Sequence, residues 1–299
     1  MEQGGSHRSG MLIGLAGFAL LSCGDAVIKS IAGQWPGLAV AALRFSIGTV
    51  VLALVMLWRE GRAGLHVALP GVQLLRGFGL ALATMAFFSA VYVMPLATAT
   101  IVTFISPIIT AVAASLFLGE RTARSTWVTA ILAFIGVAMV LQPDVRDFRL
   151  TSLLPLGSAI GTSMLIIGNR LAVGSGSALK MQYLIALFAL PFLIAGAVVG
   201  HVYGGPVLQV TMPGWTVVAR TALVAVTASM SHFLIYVGVS RAGANDVAPM
   251  QYVQALVTLM IGIVAFGDWP NGLSLLGAAI IIAAGYWQLR SMAQRSNQP

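Results

Sequence analysis

Apolar residues run along this chain in long blocks separated by short turns. A spanning helix needs about 20 mostly apolar residues. Ten such blocks are present: 11–31, 37–58, 70–92, 97–117, 124–142, 151–172, 178–200, 213–238, 246–267 and 271–290. Two stretches anchor the assignment. Gly77 to Gly119 holds no charged residue, nor does Met181 to Ala219, and each has room for about two spans. The breaks carry turn chemistry: Trp35-Pro36-Gly37, Met94-Pro95, Gln142-Pro143, Gly174-Ser175-Gly176, Gly204-Gly205-Pro206 and Trp269-Pro270-Asn271-Gly272. Period-2 alternation is lacking, and a barrel would need polar inward positions, so the fold class is an all-α membrane protein with ten transmembrane helices.

Composition narrows the function classes. Of 299 residues, 16 are Lys or Arg and 8 are Asp or Glu, so 8% are charged, against about 25% in an ordinary soluble domain. A soluble fold of this length lacks the interior to hide 59% hydrophobic residues plus 33 glycines. A soluble enzyme, a nucleic-acid-binding domain and a disordered chain are thereby set aside. The net charge of +8 comes from basic residues scattered singly, so no nucleic-acid partner is expected. Basic residues instead set orientation. With the N-terminus inside, eleven fall on inside segments: Arg8, Arg59, Arg62, Arg76, Arg121, Arg124, Arg170, Lys180, Arg241, Arg290 and Arg295. Four fall on outside ends, namely Lys29, Arg146, Arg149 and Arg220, while Arg44 lies inside a span. A multi-pass protein of the bacterial inner membrane with both termini cytoplasmic is expected. The first block is too long for a signal h-region and carries two charges, so no cleaved signal peptide is expected. Cys23, the single cysteine, reads as a buried structural thiol.

The two halves resemble each other. Leu118-Gly119-Glu120 ends the fourth span and Phe266-Gly267-Asp268 the ninth, each followed by a short turn and another span. Tyr92 and Tyr236 precede these pairs at separations differing by four residues, about one helical turn. An odd number of spans per half makes the halves enter from opposite sides, as in many secondary transporters. The expected units are 7–142 and 151–290.

At these residues the chain resembles the drug/metabolite transporter superfamily, EamA type, with its two inverted five-helix repeats. The marks are Ser22-Cys23-Gly24-Asp25 with Lys29, Pro36, Arg44-Phe45, Pro107, Leu118-Gly119-Glu120-Arg121 and Gly267-Asp268, spread over roughly 11–290. Asp268 stands where the pattern has Glu, and no proline of the second half matches Pro107. Within the superfamily the chain looks most like the YddG-type exporters of aromatic and other apolar amino acids, which also pass methyl viologen. The resemblance implies that spans five and ten are peripheral and that spans one, three, four, six, eight and nine line a central cavity.

Charged residues inside spans need a partner or a task, since each costs about 2.5–3.5 kcal/mol on insertion scales. Asp25 and Arg44 fall at matching depth, and Asp25 and Lys29 are one turn apart. The readings are an ion network stapling the outer ends of the first helical hairpin, a network whose partners change as the outer gate opens, or Asp25 as carrier of a coupling proton. His232, deep in span eight, relays protons or bonds a neighbouring helix. Candidate substrate-binding residues are uncharged: Thr84, Phe88 and Tyr92 on one stripe of span three, Thr103 and Ser106 in span four, Ser163 in span six, and Gln182 with Tyr183 in span seven. Ser231, His232 and Tyr236 in span eight join them, with Gln251, Tyr252 and Gln254 in span nine. Gln251 and Gln254 share a helix face while Tyr252 points elsewhere. Aromatics with uncharged donors suit a ligand with an apolar body and a polar end; ordinary packing is the competing account. Pro107 predicts a mid-span kink or hinge, and Pro249 a first-turn proline. Glu120 reads as a turn or cap residue working with Arg121 or Arg124.

The function expected is a secondary active or facilitative transporter working by alternating access and exporting small amphipathic metabolites, aromatic or neutral amino acids first. A carrier for another metabolite, such as S-adenosylmethionine uptake, is the alternative. HExxH, GxSxG and Walker patterns and a repeated filter are absent, so neither an intramembrane enzyme, a channel nor direct ATP drive is expected. Expected partners are a small amino-acid-like solute and the lipid bilayer, in a monomer or homodimer without cofactor or metal.

Overall fold

Lipid offers no partner for a free peptide group, so each apolar block must close its hydrogen bonds within itself. The computed structural model describes residues 2–31, 33–93, 96–120, 123–142, 153–266 and 269–295, and these form ten helical bodies. Eight are single helices: α1 (Glu2–Lys29), α2 (Gly37–Gly64), α3 (Pro70–Val93), α6 (Arg124–Leu141), α7 (Leu154–Leu171), α8 (Ala178–Tyr203), α9 (Trp215–Ala242) and α12 (Gly272–Arg295). Two are interrupted. The fourth is α4 (Leu96–Thr103) followed by α5 (Ser106–Phe117). The ninth is α10 (Ala244–Val247), a 3₁₀ segment (Ala248–Tyr252) and α11 (Val253–Phe266). Seven helices among the described residues are long and apolar enough to cross a membrane. Of the rest, α7 is diluted by Ser158, Thr162, Ser163, Asn169 and Arg170, and α11 has only 14 residues.

The interruptions follow from proline. Pro107 stands in the first turn of α5 and has no N–H, so the carbonyl of Thr103 loses its helical donor and the helix restarts. In the ninth body Gly243 turns the chain at φ +89, and Pro249 opens the 3₁₀ segment.

Bonds between bodies separate two faces. Glu60, His7, Glu120, Arg170, Ser177 and Asp246 bond one another on the face where α1 begins, here called the terminal face. On the far face the Trp35 indole N–H donates to the Thr211 carbonyl at 2.8 Å, and Arg220 donates to the Ser30 carbonyl at 3.0 Å. There too the Gln142 amide donates to Asn271 Oδ1 at 2.8 Å.

The main packings are α1 on α9, α3 on α7, α2 on α8 and α6 on α12; α1 also meets α11, and α7 meets α4 and α5. Small residues make three of these seams. A Cβ on Gly238 would lie 2.8 Å from the Gly10 carbonyl and 2.9 Å from Gly14, both on α1. One on Gly79 of α3 would lie 2.8 Å from the Gly161 carbonyl of α7. One on Gly136 would lie 2.8 Å from the Gly277 carbonyl, joining α6 to α12. Gly10/Gly14 and Gly157/Gly161 are GxxxG pairs, the spacing that lets helix backbones approach in lipid. Large apolar side chains face outward instead, among them Leu54, Trp58, Phe117, Val198 and Trp215. Cys23 corrects one expectation. It is exposed on α1, on the side turned away from its buried neighbours Ser22 and Gly24.

Candidate functional site

The interrupted bodies meet mid-molecule, and polar groups close the gap. Ser106 Oγ donates to Gln251 Oε1 at 2.6 Å. Ser163 Oγ donates to the Ser106 carbonyl at 2.9 Å, and Thr110 Oγ1 to Ser163 Oγ at 3.0 Å. All four residues are buried, so a chain of hydroxyls and one amide links α5, α7 and the 3₁₀ segment. Ser22 Oγ donates to the Gln254 carbonyl at 3.4 Å, bringing α1 to the same region. Tyr252 turns away. Its ring meets Phe104 edge-on at 6.0 Å within a cluster holding Ala130 and Ala133 of α6 and Ile281 of α12.

A second polar group surrounds Arg76, which is 1% exposed. Its Nε donates to Asn169 Oδ1 at 2.8 Å and its Nη1 to Gln73 Oε1 at 2.5 Å. Gln73 in turn donates to the Ala68 carbonyl at 3.2 Å. The guanidinium stands 5.4 Å from the ring of Tyr236, whose hydroxyl donates to the Ala172 carbonyl at 3.3 Å. Among the described residues no carboxylate pairs with Arg76. Arg76, a cytoplasmic loop charge by the basic bias of the sequence, lies instead inside α3 and is part of the interior.

Arg44 is also buried, with its guanidinium 4.7 Å from the ring of Phe45. Asp25 is within electrostatic reach of Arg44, but they make no contact within 4 Å, and Asp25 is exposed. The expected Asp25–Arg44 staple is therefore not a direct ion pair, and the side chain of Lys29 lies outside the described residues. His232 is buried on α9 within electrostatic reach of both Arg44 and Arg76, and its Nδ1 finds no partner among the described residues.

The other candidates take varied places. Thr84 and Thr103 donate back to the carbonyls of Leu80 and Ala99 in their own helices. Phe88 is buried in a cluster with Phe45, Leu165 and Ile185. Tyr183 and Tyr236 share a cluster with Met56 and Met181. Gln182 and Ser231 are buried, and Ser231 donates to the Thr227 carbonyl. The side chain of Tyr92 lies outside the described residues.

Glu120 has more partners than a local turn residue. Its Oε1 receives Arg170 Nε at 2.8 Å, and its Oε2 the backbone N–H of Asn245 at 3.3 Å. Asp246, next along, meets His7 Nε2 at 3.1 Å and accepts from Thr126 at 3.4 Å. These bonds tie α1, α5, α6, α7 and α10 together on the terminal face. Arg121 lies outside the described residues, and Arg124 makes no such contact among them.

Sequence reasoning missed Gln73, Arg76 and Asn169 as a unit. The available signal was the i, i+3 spacing of Gln73 and Arg76, with Asn169 a lone amide in an apolar helix.

Known proteins resemble this chain over most of its length. A solved protein crystal structure matches with a TM-score of 0.78 and 21% identity, covering 97% of this chain and 99% of that one, which shows the fold. An S-adenosylmethionine uptake transporter of Rickettsia felis is 28% identical over 266 residues, covering 88% of this chain and 86% of the relative. The pseudopaline exporter CntI of Pseudomonas aeruginosa is 24% identical over 93% of this chain and 94% of the relative. A riboflavin transporter of Vibrio cholerae is 28% identical over 83% and 80%. None of these names an aromatic amino acid exporter, so the YddG-type resemblance is narrowed to its superfamily. Residues 8–142, somewhat under half of the chain, match the EamA-like transporter family, and seven helices among the described residues are long and apolar enough to cross a membrane.

Proposed function

We propose that the protein is a secondary carrier that moves small amphipathic metabolites through its centre by alternating access. The observation that carries this reading is the pair of interrupted bodies, α4/α5 and the 3₁₀ segment/α11, joined by the Ser106–Gln251 bond. Broken helices are tolerated at membrane depth only inside protein or beside a wet cavity, and carriers place their sites there. The packings support an inverted repeat of 7–142 and 151–290. Exchanging each body for the one five places along turns α1 on α9 into α7 on α3, and returns α2 on α8 and α6 on α12 to themselves. The GxxxG pairs of α1 and α7 follow the same exchange.

In this mechanism Pro107 and Pro249 serve as hinges, and Gln251, Gln254, Ser106 and Ser163 hold the polar end of the solute. Phe88, Tyr183 and Tyr236 accompany its apolar body. The Glu120 and Asp246 bonds close the terminal face, and the basic bias of the chain supports a cytoplasmic side for it. The substrate class is an amino-acid-like solute. S-adenosylmethionine is favoured by the relatives of that name, and aromatic or neutral amino acids by the aromatic lining. The relatives include both an uptake system and an exporter, so direction is set by the gradient in this reading, with export as the working assignment.

Purified protein in liposomes tests the proposal with radiolabelled S-adenosylmethionine, riboflavin and a panel of amino acids, with and without a pH gradient. Saturable uptake with counterflow is expected. Ohmic current, or no saturable uptake of any solute, refutes it.

A further inference from the structure

Three nitrogen-bearing side chains are spaced through the interior. Arg44 lies seven residues into α2 from the far face, about 10 Å deep, and Arg76 six residues into α3 from the terminal face, about 9 Å deep. His232 sits one helical turn before Tyr236 on α9, and Arg76 stands 5.4 Å from the Tyr236 ring. None contacts a carboxylate among the described residues. The guanidinium of Arg44 makes no hydrogen bond among the described residues and rests on the Phe45 ring. Arg76 gives Nε to Asn169 and Nη1 to Gln73 and the Met181 sulfur, all neutral acceptors. His232 Nδ1 has no hydrogen-bond partner among the described residues.

Charge makes this arrangement unusual. Buried ions are normally paired, because an unpaired charge in a low-dielectric interior is costly. Here the two amides that hold Arg76 are neutral. They fix the plane of its guanidinium without cancelling its charge, as an Asp or Glu in either place would. Arg44 has Asp25 in electrostatic reach, beyond contact. The interior therefore holds two guanidinium groups, one of them without any acidic partner among the described residues.

We infer that Arg44, His232 and Arg76 form a recognition path for a carboxylate carried by the transported solute, with Arg76 as its fixed receiving fork. A guanidinium edge matches the planar oxygens of a carboxylate. Tyr236 against Arg76 and Tyr183 in the same cluster supply the adjoining surface for an apolar body. The inference rests on the transport reading and adds to it the anionic group that the solute must carry.

The test compares each acid with a counterpart that lacks the carboxylate charge but keeps the ammonium and apolar parts: L-tryptophan with its methyl ester, and S-adenosylmethionine with its decarboxylated analogue. Thermal unfolding of the full purified chain reads binding without requiring transport. At least one acid is expected to raise the melting temperature by several degrees while its counterpart without the carboxylate charge does not. Arg76→Gln and, separately, Arg44→Gln should weaken that acid about 10-fold or more and leave the counterpart's small effect unchanged. Arg76→Lys, which keeps the charge and loses the fork, should fall between. If Arg76→Gln fails to fold, the wild-type acid/ester pair and Arg44→Gln still decide. Equal stabilisation by acid and counterpart, or none by any acid at millimolar concentration, overturns the inference. Equal transport of both in liposomes would sink the inference and keep the carrier; acid-selective binding without transport would do the reverse.

Discussion

Glu120 offers a direct measure of how firmly the terminal face is closed. Its carboxylate bridges Arg170 at 2.8 Å and the Asn245 N–H at 3.3 Å, joining the end of the fourth body to the sixth and to the start of the ninth. The Arg170 side chain is 38% exposed and that of Glu120 19%, so solvent screening limits the ion pair to about 1 kcal/mol. The backbone bond adds about 0.5–1 kcal/mol. Glu120→Ala should therefore weaken closure by about 1.5–2 kcal/mol, shifting the ratio of closed to open forms about 10- to 30-fold. Ala114, fully buried on α5 just inside this cluster, reports the opening. In a Cys23→Ser background, Ala114→Cys should react with a small thiol reagent about tenfold faster once Glu120→Ala is added. Arg170→Ala should produce most of the same rise, and the double variant should not add to it. An unchanged labelling rate in both single variants would refute the idea that these bonds hold the face shut.

Other outcomes separate packing from transport. Gly79→Val pushes a side chain into the Gly161 carbonyl 2.8 Å away and should cost about 1–3 kcal/mol, seen as a lower melting temperature in detergent; the exposed Leu54→Val should be silent. Gln251→Leu removes the acceptor of Ser106 Oγ and should cut solute uptake about tenfold with expression preserved. Uptake that survives Gln251→Leu would place the solute elsewhere. Tyr252→Phe deletes a buried hydroxyl with no partner among the described residues, so stability should hold or rise by about 1 kcal/mol and uptake should persist. A marked loss of uptake would instead show that Tyr252 reaches the solute path in another state.

The sequence was most legible where one physical requirement dominated. Lipid demands long uncharged blocks, so the bodies fell where hydropathy put them, and Pro107 broke its helix because it lacks an N–H. Helix ends were less legible, since α1 and α12 run beyond their apolar blocks to Glu2 and Arg295, where polar residues can helix in water. Residue types at the site were readable but partners were not. Ser106 and Gln251 are 145 positions apart, and nothing local tells that they touch. Arg76 misled because its nearness to a basic-rich face suits a loop charge, whereas its rotation about α3, set by packing against α7, turns it inward. Cys23 misled in the opposite sense: an apolar run is not a buried run when the surrounding solvent is hydrocarbon.

The glycine seams have a consequence for how this protein tolerates change. Where helices separate into a medium as oily as their own side chains, trimming a leucine on the rim removes little, because lipid refills the space. Adding one methyl at Gly79, Gly136 or Gly238 wedges two backbones apart along a whole seam. The usual hierarchy of fragile sites is thus turned over: bulky residues drift freely through substitution, while the smallest positions are the ones selection must guard.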